Sequence, residues 1–537
     1  MSGMRPLHLV VGSGPTGVSC ATALLKQGCR VEMIDAGLDL EQDAVQHLHK
    51  LQSIPPTGWD ERQTAFLKAK MDAGVDGIPL KLAYGSDYPY RTPEWTRHVT
   101  AIECKDADSK PSFAKGGLSN VWGSAVMPYR QEDMQDWPES TRDLSAYYRA
   151  ITEFMPVAAR RDLLDKIFPT YCDNERPMPQ SAQAAALEKD WNNSITLLEQ
   201  AGVSFGRSRI AVNATGVGKA SGCVSCSLCM YGCPYRLIWS SAETVDHLQR
   251  NPDFSYRRGL TVLHVTEQGD SVQLEAEDSQ GGRQSISGAR VYLATGVLST
   301  TAIVLRSLQR FDETLQMQDS QYFLLPMLRK RGVKNFNRKD LHTLAQMFVE
   351  VVDDQTSPYT VHLQTYTYNE LFEQPVSKML GPLRSVFPST AFFSRLFLFQ
   401  GYLHSRHSTP ISIRLEKTSN GDKLQLKGQP SPEVKLVLQR VVKKLLRLHG
   451  SLGAIPLAPL LRPGMPGRGF HSGGVFPMSD NPTANQSDIY GRPAGLRRVH
   501  AVDSTVMPSI AATTVTFTAM ANAYRIGTLA ASLEDET

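Results

Sequence analysis

The N-terminal segment alternates strand and helix signals around a glycine-rich turn. An apolar run, Leu7–Val11, leads into the turn, and a segment with helical spacing follows it and ends at Gly28. A second strand-like run, Arg30–Gly37, comes next. Short apolar runs on either side of a helical period predict a strand, a helix and a second strand, which together form a βαβ unit.

The turn has the spacing GxGxxG, with Gly12, Gly14 and Gly17 at the glycine positions. Such glycines allow a tight turn and a close backbone approach to a pyrophosphate, which also meets the N–H groups of the helix N-terminus. Asp35 closes the second strand and can accept hydrogen bonds from ribose hydroxyls. We therefore predict a dinucleotide site, with a turn that only packs the helix on the sheet as the alternative. The turn alone does not decide between FAD and NAD.

Composition limits the classes of protein to consider. The chain has 537 residues, of which 41% are apolar and 20% charged, with a net charge of +4. This length predicts two domains, or one large domain with insertions. The small net charge gives no case for nucleic-acid binding. Without an apolar run of membrane-spanning length or a signal-peptide pattern, we expect no transmembrane helix and a cytoplasmic location.

Further along the chain, strand signals come to dominate. The segment beginning at Leu260 reads as a hairpin, and Ala289–Ser307 reads as strand, turn and helix. From about residue 311 to 460, several strand-like runs with partial alternation predict a mainly antiparallel sheet with one covered face. Ser431–Gly450 predicts an amphipathic helix with a Ser-Pro start and a glycine stop.

Other small-residue segments suit a cofactor that lies extended through the protein. Lys115–Arg130 is a second glycine-rich loop, and the segment Tyr292–Thr300 has a glycine directly after an apolar strand. From these segments and the C-terminal part we assign further cofactor-binding positions: Gly116, Gly117, Ser119, Asn120, Val262, Gly296 and Asp503.

These segments, in this order, resemble the glucose–methanol–choline (GMC) family of FAD-dependent oxidoreductases, and Asp136–Ile151 ("DWPESTRDLSAYYRAI") resembles a helix entry of that family. The resemblance covers most of the chain and is weakest from about 311 to 460. It implies an α/β fold (α+β overall). A Rossmann-like FAD-binding domain would be built from discontinuous segments, 1–310 and 465–537. A substrate domain with a mainly antiparallel sheet would span 311–464.

The resemblance also implies a catalytic segment. Gly469–Met478 ("GFHSGGVFPM") falls on the family pattern HxxGTCRMG at His471, Gly474 and Met478, but Val475–Pro477 replaces the TCR core. His471 would take the proton of a substrate hydroxyl, a role that suits a neutral imidazole with a pKa near 7. A histidine that only hydrogen-bonds the backbone of a glycine-rich loop is the alternative. The family's second partner, a histidine or asparagine, falls on Thr514, which is a departure from the pattern. Either Thr514 orients the substrate, or another side chain fills the gap. The candidates are His342, His362 and His404, which lie on or near predicted strands, although a structural or surface role is the favoured interpretation of each.

Four cysteines, Cys223, Cys226, Cys229 and Cys233, followed by Pro234, have the spacing C-x2-C-x2-C-x3-C-P of bacterial ferredoxins. This run predicts an iron–sulfur cluster, 4Fe-4S by preference, in a loop at about 215–240. A structural zinc site is the alternative, although zinc sites usually use two separated pairs. We favour Cys233 as fourth ligand, while Cys104, Cys172 and a three-iron cluster stay open.

Together these features predict an FAD-dependent dehydrogenase that oxidises a small-molecule alcohol, with a secondary hydroxyl of a sugar or polyol as the first guess. Its electrons would pass through the cluster to an external acceptor, a protein or a quinone. The alternatives are an oxygen-using oxidase, and a reductase or electron-transfer subunit running in the opposite direction. Met379–Leu403 is apolar and aromatic. A core strand with a covering helix is the favoured interpretation, and peripheral membrane contact or a tunnel wall is the alternative.

Overall fold

The computed structural model describes residues 5–69, 80–96, 100–173, 176–214, 222–336, 341–371, 389–419 and 421–533. Its helices are α1 (Pro15–Lys26), α2 (Gln42–Gln52), α3 (Glu61–Ala65), α4 (Ser145–Thr152), α5 (Ala182–Asn192), α6 (Ile195–Gln200), α7 (Ser241–Leu248), α8 (Val297–Ser307), α9 (Ser389–Phe393), α10 (Pro432–Arg447) and α11 (Val515–Ala530). Among them, no helix is long and apolar enough to cross a membrane.

The strands fall into two halves of the chain. The first half holds β1 (Leu7–Val11), β2 (Arg30–Asp35), β3 (Thr100–Lys105), β4 (Val203–Arg207), β5 (Phe254–Arg258), β6 (Leu260–Gln268), β7 (Ser271–Asp278), β8 (Arg283–Gly288) and β9 (Arg290–Leu293). The second half holds β10 (Thr314–Asp319), β11 (Tyr322–Arg329), β12 (Met347–Asp353), β13 (Ser357–Tyr366), β14 (Leu396–Tyr402), β15 (Ile411–Thr418), β16 (Gly421–Gly428), β17 (Ala454–Pro456), β18 (Arg462–Pro463), β19 (Ser472–Gly473) and β20 (Val499–Ala501).

A five-stranded parallel sheet has the order β20-β9-β1-β2-β5. Its strand β1 pairs in parallel with both β2 and β9, which confirms the predicted βαβ unit. Helices α1 and α11 pack together beside this sheet, so closely that a Cβ at Gly527 would lie 3.0 Å from the Cys20 carbonyl oxygen. The predicted hairpin is also confirmed, as β6 and β7 pair antiparallel and β8 extends them to three strands.

A larger antiparallel sheet has the order β17-β11-β14-β13-β12-β4, with β18 on β11. Its inward side chains, among them Phe323, Leu363 and Phe399, are fully buried against α5, α6 and α10. The antiparallel sheet predicted for the segment after residue 311 is thus confirmed. Strand β4 joins this sheet from earlier in the chain, and the domain boundary at 310 stays a prediction.

A mixed sheet of order β19-β10-β15-β16-β3 continues the hydrophobic core beneath α8.

In the apolar segment 379–403, the described part forms α9 and then β14, a central strand between β11 and β13. That part agrees with the favoured interpretation of a core strand with a short helix, and residues 379–388 lie outside the described residues.

We expect Gly17→Ala to destabilise the fold, because a Cβ there would lie 2.0 Å from the Gly12 carbonyl oxygen. Relieving that overlap requires α1 to move, at a cost of about 1–3 kcal/mol. Gly450→Ala is the matched control, because nothing lies within 4 Å of its added Cβ. Thermal unfolding of both variants checks this, and equal melting temperatures would show that the contact is not tight.

Candidate active site

One cavity of about 500 Å³ joins the parallel sheet to the antiparallel sheet. Its wall includes the glycine turn after β1, the second glycine-rich loop, the turn before α8, and residues of β11, β13 and β14. The loop that carries His471 and the start of α11 complete the wall. The volume is that of a typical small-molecule or cofactor site.

Most of the site residues predicted from the sequence line this cavity: Gly12, Gly14, Asp35, Gly117, Ser119, Val262, Gly296, His471, Asp503 and Thr514. The structure therefore brings together residues from widely separated parts of the chain. Whether these residues bind a flavin stays a prediction. Two observations fit a flavin. The backbone of the glycine turn lines one end of the cavity, and buried polar atoms of His471 and Thr514 at the other end lack hydrogen-bond partners among the described residues.

Three predicted residues do not line the cavity and have local structural roles. Gly17 allows α1 to pass directly over the turn, and a Cβ on Gly116 would lie 2.8 Å from the backbone nitrogen of Ala242. The amide of Asn120 donates to the carbonyl oxygens of Lys115 and Gly117, at 2.9 and 2.8 Å. These residues shape the two glycine-rich loops rather than the surface a ligand would touch.

Asp35 lies at the end of β2, where the βαβ pattern places it. Its carboxylate accepts hydrogen bonds from the Ser13 hydroxyl and, at 3.0 Å, from the Tyr256 hydroxyl. Burial raises the pKa of Asp35 to about 6, against the lowering effect of these hydrogen bonds. Ser13 also accepts a hydrogen bond from the Gly116 backbone, so the carboxylate helps to join the two glycine-rich loops.

Asp503 is a structural hub rather than a free acceptor. One carboxylate oxygen accepts from the Gly296 N–H at 2.9 Å and the Thr300 hydroxyl at 2.6 Å. The other accepts from the backbone and the hydroxyl of Thr505. The side chain thus connects the turn before α8 to the C-terminal segment. Burial raises its pKa, although all four hydrogen bonds act in the opposite direction.

The loop that carries His471 is held by Asp319 at the end of β10. The Asp319 carboxylate accepts from the Gly467 N–H at 2.9 Å and the Ser472 hydroxyl at 2.8 Å. The next residue, Ser320, donates its N–H to the His471 carbonyl oxygen at 3.0 Å. Burial raises the pKa of Asp319 to about 7. The loop is therefore anchored at the end of β10 on both sides of His471.

His471 and Thr514 both line the cavity, and each has a buried polar atom, Nδ1 and Oγ1, that lacks a hydrogen-bond partner among the described residues. Burial lowers the pKa of His471 to about 3, with a further contribution from His362. The pKa near 7 expected from the sequence is therefore wrong. The imidazole is neutral throughout the physiological range.

The histidines proposed to fill the gap at Thr514 do not line the cavity. His342 contacts the amide of Gln346. His404 donates from Nε2 to the Asp133 carbonyl oxygen at 3.1 Å and stacks on Tyr359, with ring centroids 3.9 Å apart. His362 pairs with Glu350 through Nδ1 at 2.6 Å. Among the described residues, Thr514 is thus the predicted partner that shares the cavity with His471.

The antiparallel sheet contributes a polar wall that the sequence motifs did not predict. Its members are Tyr322, Gln364, Tyr366, Gln400 and Tyr402. The Tyr402 ring stacks on His471, with ring centroids 4.6 Å apart. The available signal was a polar or aromatic side chain at alternate positions near the ends of β13 (His362, Gln364, Tyr366) and β14 (Gln400, Tyr402), since alternate residues of a strand share one face.

Two other residues of the wall lead toward the cysteine loop. Lys81 lines the cavity and donates to the Trp122 carbonyl oxygen at 2.9 Å. Burial lowers the pKa of Lys81 to about 8, while Cys229 and Cys233 act to raise it. Met230, which lies between those cysteines in sequence, also lines the cavity. The cysteine loop therefore directly adjoins the site.

The four cysteines of the loop are free thiols that lie close enough to influence one another's pKa. Burial raises the pKa of Cys226 to about 12 and that of Cys233 to about 11. Backbone N–H groups point at two of the sulfurs: Ser225 donates to Cys223 and Leu237 to Cys233, each at 3.4 Å. Cysteine sulfurs that accept hydrogen bonds from the backbone are the ligand type that iron–sulfur clusters use.

The sulfur positions do not form a metal cage. Within the described parts of the chain, which include the whole cysteine run, no three or more His, Cys, Asp or Glu residues stand where they could hold a metal ion. The predicted iron–sulfur cluster therefore lacks support from the geometry, and so does the zinc alternative. Metal sites in proteins often form only as the metal binds and displaces the thiol protons.

Comparison with known proteins identifies the fold. No protein-family model and no curated protein matches the chain. Among solved structures, it resembles the crystal structure of pyridoxine 4-oxidase from Mesorbium loti, with a TM-score of 0.58 and 14% sequence identity. The match covers 98% of this chain and 98% of the other. The mixed α/β architecture is therefore that of the neighbour over nearly its full length.

We expect Asp503→Asn to lower the melting temperature, because an amide nitrogen cannot accept the hydrogen bonds now made to a carboxylate oxygen. Unpaired buried donors cost about 1–3 kcal/mol. Asp480→Asn, at an exposed position, is the control. If Asp503→Asn melts like the wild type but is purified with less FAD, the carboxylate acts on a cofactor rather than as a structural hub.

Proposed function

We propose that this protein is an FAD-dependent oxidoreductase that oxidises an alcohol at a CH–OH group. The observation that carries the proposal is the single cavity that joins the glycine turn of a βαβ unit to His471 and Thr514. The resemblance of the sequence to GMC oxidoreductases and the fold shared with a protein titled as an oxidase support it.

In this proposal the flavin would be held by the chain segments that line the first part of the cavity. Backbone at Gly12 and Gly14 and the N-terminus of α1 would face the pyrophosphate. Asp35 would face the ribose, and Ser119 and Gly117 would hold the middle of the cofactor. A bound flavin would supply the acceptor for the hydride that leaves the carbinol carbon.

The chain's own residues would handle the substrate hydroxyl. His471 is neutral, because burial lowers its pKa to about 3, and its imidazole would accept the hydroxyl proton. Thr514 donates its unpartnered hydroxyl to the substrate oxygen and so orients it, which a threonine can do without acting as a base. The Tyr402 ring covers one face of the imidazole and limits access of water to it.

The wall around His471 supports a neutral, hydroxyl-rich substrate. The strands contribute three tyrosine rings and two amides there, and none of these five side chains carries a charge at neutral pH. Amides pair with hydroxyl groups, and tyrosine rings cover the apolar faces of a sugar ring. We therefore retain oxidation of a secondary hydroxyl on a sugar or polyol as the proposed reaction.

The electron acceptor separates two versions of the function. An oxidase that uses oxygen is favoured by the name of the structural neighbour. A dehydrogenase with an external acceptor is favoured by the cysteine loop, which touches the cavity through Met230 and offers four free thiols. We keep the dehydrogenase, with a cluster assembled on iron binding, as the proposal to test, and a cytoplasmic location as a prediction.

We expect His471→Asn to retain bound FAD but to reduce turnover about 10²- to 10⁴-fold, because general-base assistance has that size. Anaerobic bleaching of the flavin by a panel of primary and secondary alcohols measures it. His449→Asn, at an exposed position, is the control. A wild-type flavin that no alcohol bleaches would contradict the proposed function itself.

The iron–sulfur proposal is tested by purification without oxygen, followed by assays of iron and sulfide. We expect about four irons per chain, as four cysteine ligands bind a cubic cluster. Cys229→Ser should lose the iron, whereas Cys104→Ser should keep it if Cys233 is the fourth ligand. Protein that contains zinc, or neither metal, would rule out the cluster and leave the oxidase as the better version.

A further inference from the structure

The antiparallel sheet places two glutamines side by side in the cavity wall. Gln364 on β13 and Gln400 on β14 are direct partners in the antiparallel register. Both side chains point to the cavity side, opposite the face that packs on the helices. Cross-strand neighbours of this kind have Cβ atoms about 4.5–5.5 Å apart, so the two amides can act on one ligand group.

A chain of hydrogen bonds fixes the direction of the Gln364 amide. Glu350 on β12 accepts from Nδ1 of its cross-strand partner His362 at 2.6 Å, and both side chains are fully buried. With Nδ1 donating to Glu350, the second ring nitrogen of His362, Nε2, is the atom that can accept a hydrogen bond. The Gln364 amide nitrogen lies 3.2 Å from that Nε2 and therefore donates to it.

The other end of the amide is fixed as well. The Tyr366 hydroxyl donates to the Gln364 carbonyl oxygen at 3.1 Å. One N–H of Gln364 then remains, and it has no partner among the residues that the structure describes. Gln364 is only 3% exposed. A buried N–H without an acceptor lowers the stability of the fold, and a ligand that accepts from it removes that penalty.

Gln400 adds an acceptor to the pair. Its amide nitrogen uses one N–H on the Tyr402 hydroxyl at 2.6 Å, which leaves the second N–H and the carbonyl oxygen for a ligand. The two neighbouring side chains therefore offer an N–H from each amide and the Gln400 carbonyl oxygen. A hydroxyl group, which both donates and accepts, can use both kinds of atom, whereas a carboxylate can use only the donors and an ammonium group only the acceptor.

We propose that Gln364 and Gln400 form a specificity-determining pair that binds a substrate hydroxyl adjacent to the one oxidised, and that Glu350 and His362 are positioning residues that fix the direction of the Gln364 amide. This inference rests on the proposed function and goes beyond it. It assigns the substrate class as vicinal diols and distinguishes them from simple alcohols.

The test compares two probes on the FAD-loaded, full-length protein: trans-cyclohexane-1,2-diol and cyclohexanol, which differ by the second hydroxyl. The rate of anaerobic flavin bleaching gives kcat/KM for each. We expect the wild type to prefer the diol about tenfold, the size of one or two hydrogen bonds. Gln364→Leu and Gln400→Leu each should reduce that preference to near one, mainly through KM.

Glu350→Gln tests the positioning role, because it keeps the shape but lets the amide rotate. We expect it to lower the diol preference at least threefold, while Glu61→Gln, at an exposed position, leaves the preference unchanged. Because the readout is a ratio of two substrates on the same preparation, partial loss of folded protein does not change it. FAD content confirms that each variant is folded, and if either leucine variant lacks flavin, the other decides.

The contrary outcomes are distinct. Bleaching of the wild type by both probes with equal kcat/KM, or a diol preference that survives both leucine substitutions, would overturn the inference and leave the proposed function standing. Failure of both probes while other alcohols bleach the flavin would also overturn the vicinal-diol assignment alone. Failure of every alcohol would overturn the proposed function and this inference with it.

Discussion

The arrangement of the remaining elements depends on the hydrogen bonding of β1 to β2, which follows it closely in the chain, and to β9, which comes much later. Strand β1 pairs with β2 on one side and with β9 on the other, and β9 in turn pairs with β20 near the C-terminus. After β2 the chain therefore leaves this sheet and returns to it for β5, for β9 and again for β20. The cavity lies at the carboxyl ends of β1, β9 and β20, beside the residues that directly follow these strands.

The two sheets contribute different chemistry to that space. The parallel sheet supplies backbone, through the glycine turn and the turn before α8, and it is braced by the buried carboxylates of Asp35 and Asp503. The antiparallel sheet supplies side chains, because one face of β11, β13 and β14 packs on helices and the other faces the cavity. A cofactor would thus contact mainly the backbone of the parallel sheet's turns, and a substrate mainly the side chains of the antiparallel sheet.

Local patterns in the sequence predicted the βαβ unit, the antiparallel strands and most of the residues in the first part of the cavity. Those features depend on short-range spacing, such as the glycines before α1 or the alternation along β13. The polar pair Gln364 and Gln400 was not predictable in this way, since it depends on the register between two strands. The four cysteines show the reverse case, in which a strong spacing pattern was not accompanied by a metal-holding geometry.

The pairing of β1 with β9 has a consequence for synthesis of the chain on the ribosome. At the usual elongation rate, the ribosome needs on the order of tens of seconds to progress from His8 to Arg290, the residues that pair across these strands. During that interval one edge of β1 lacks its partner, and such edges promote aggregation. The nascent N-terminal unit would therefore depend on chaperones or on transient cover by later segments until β9 emerges.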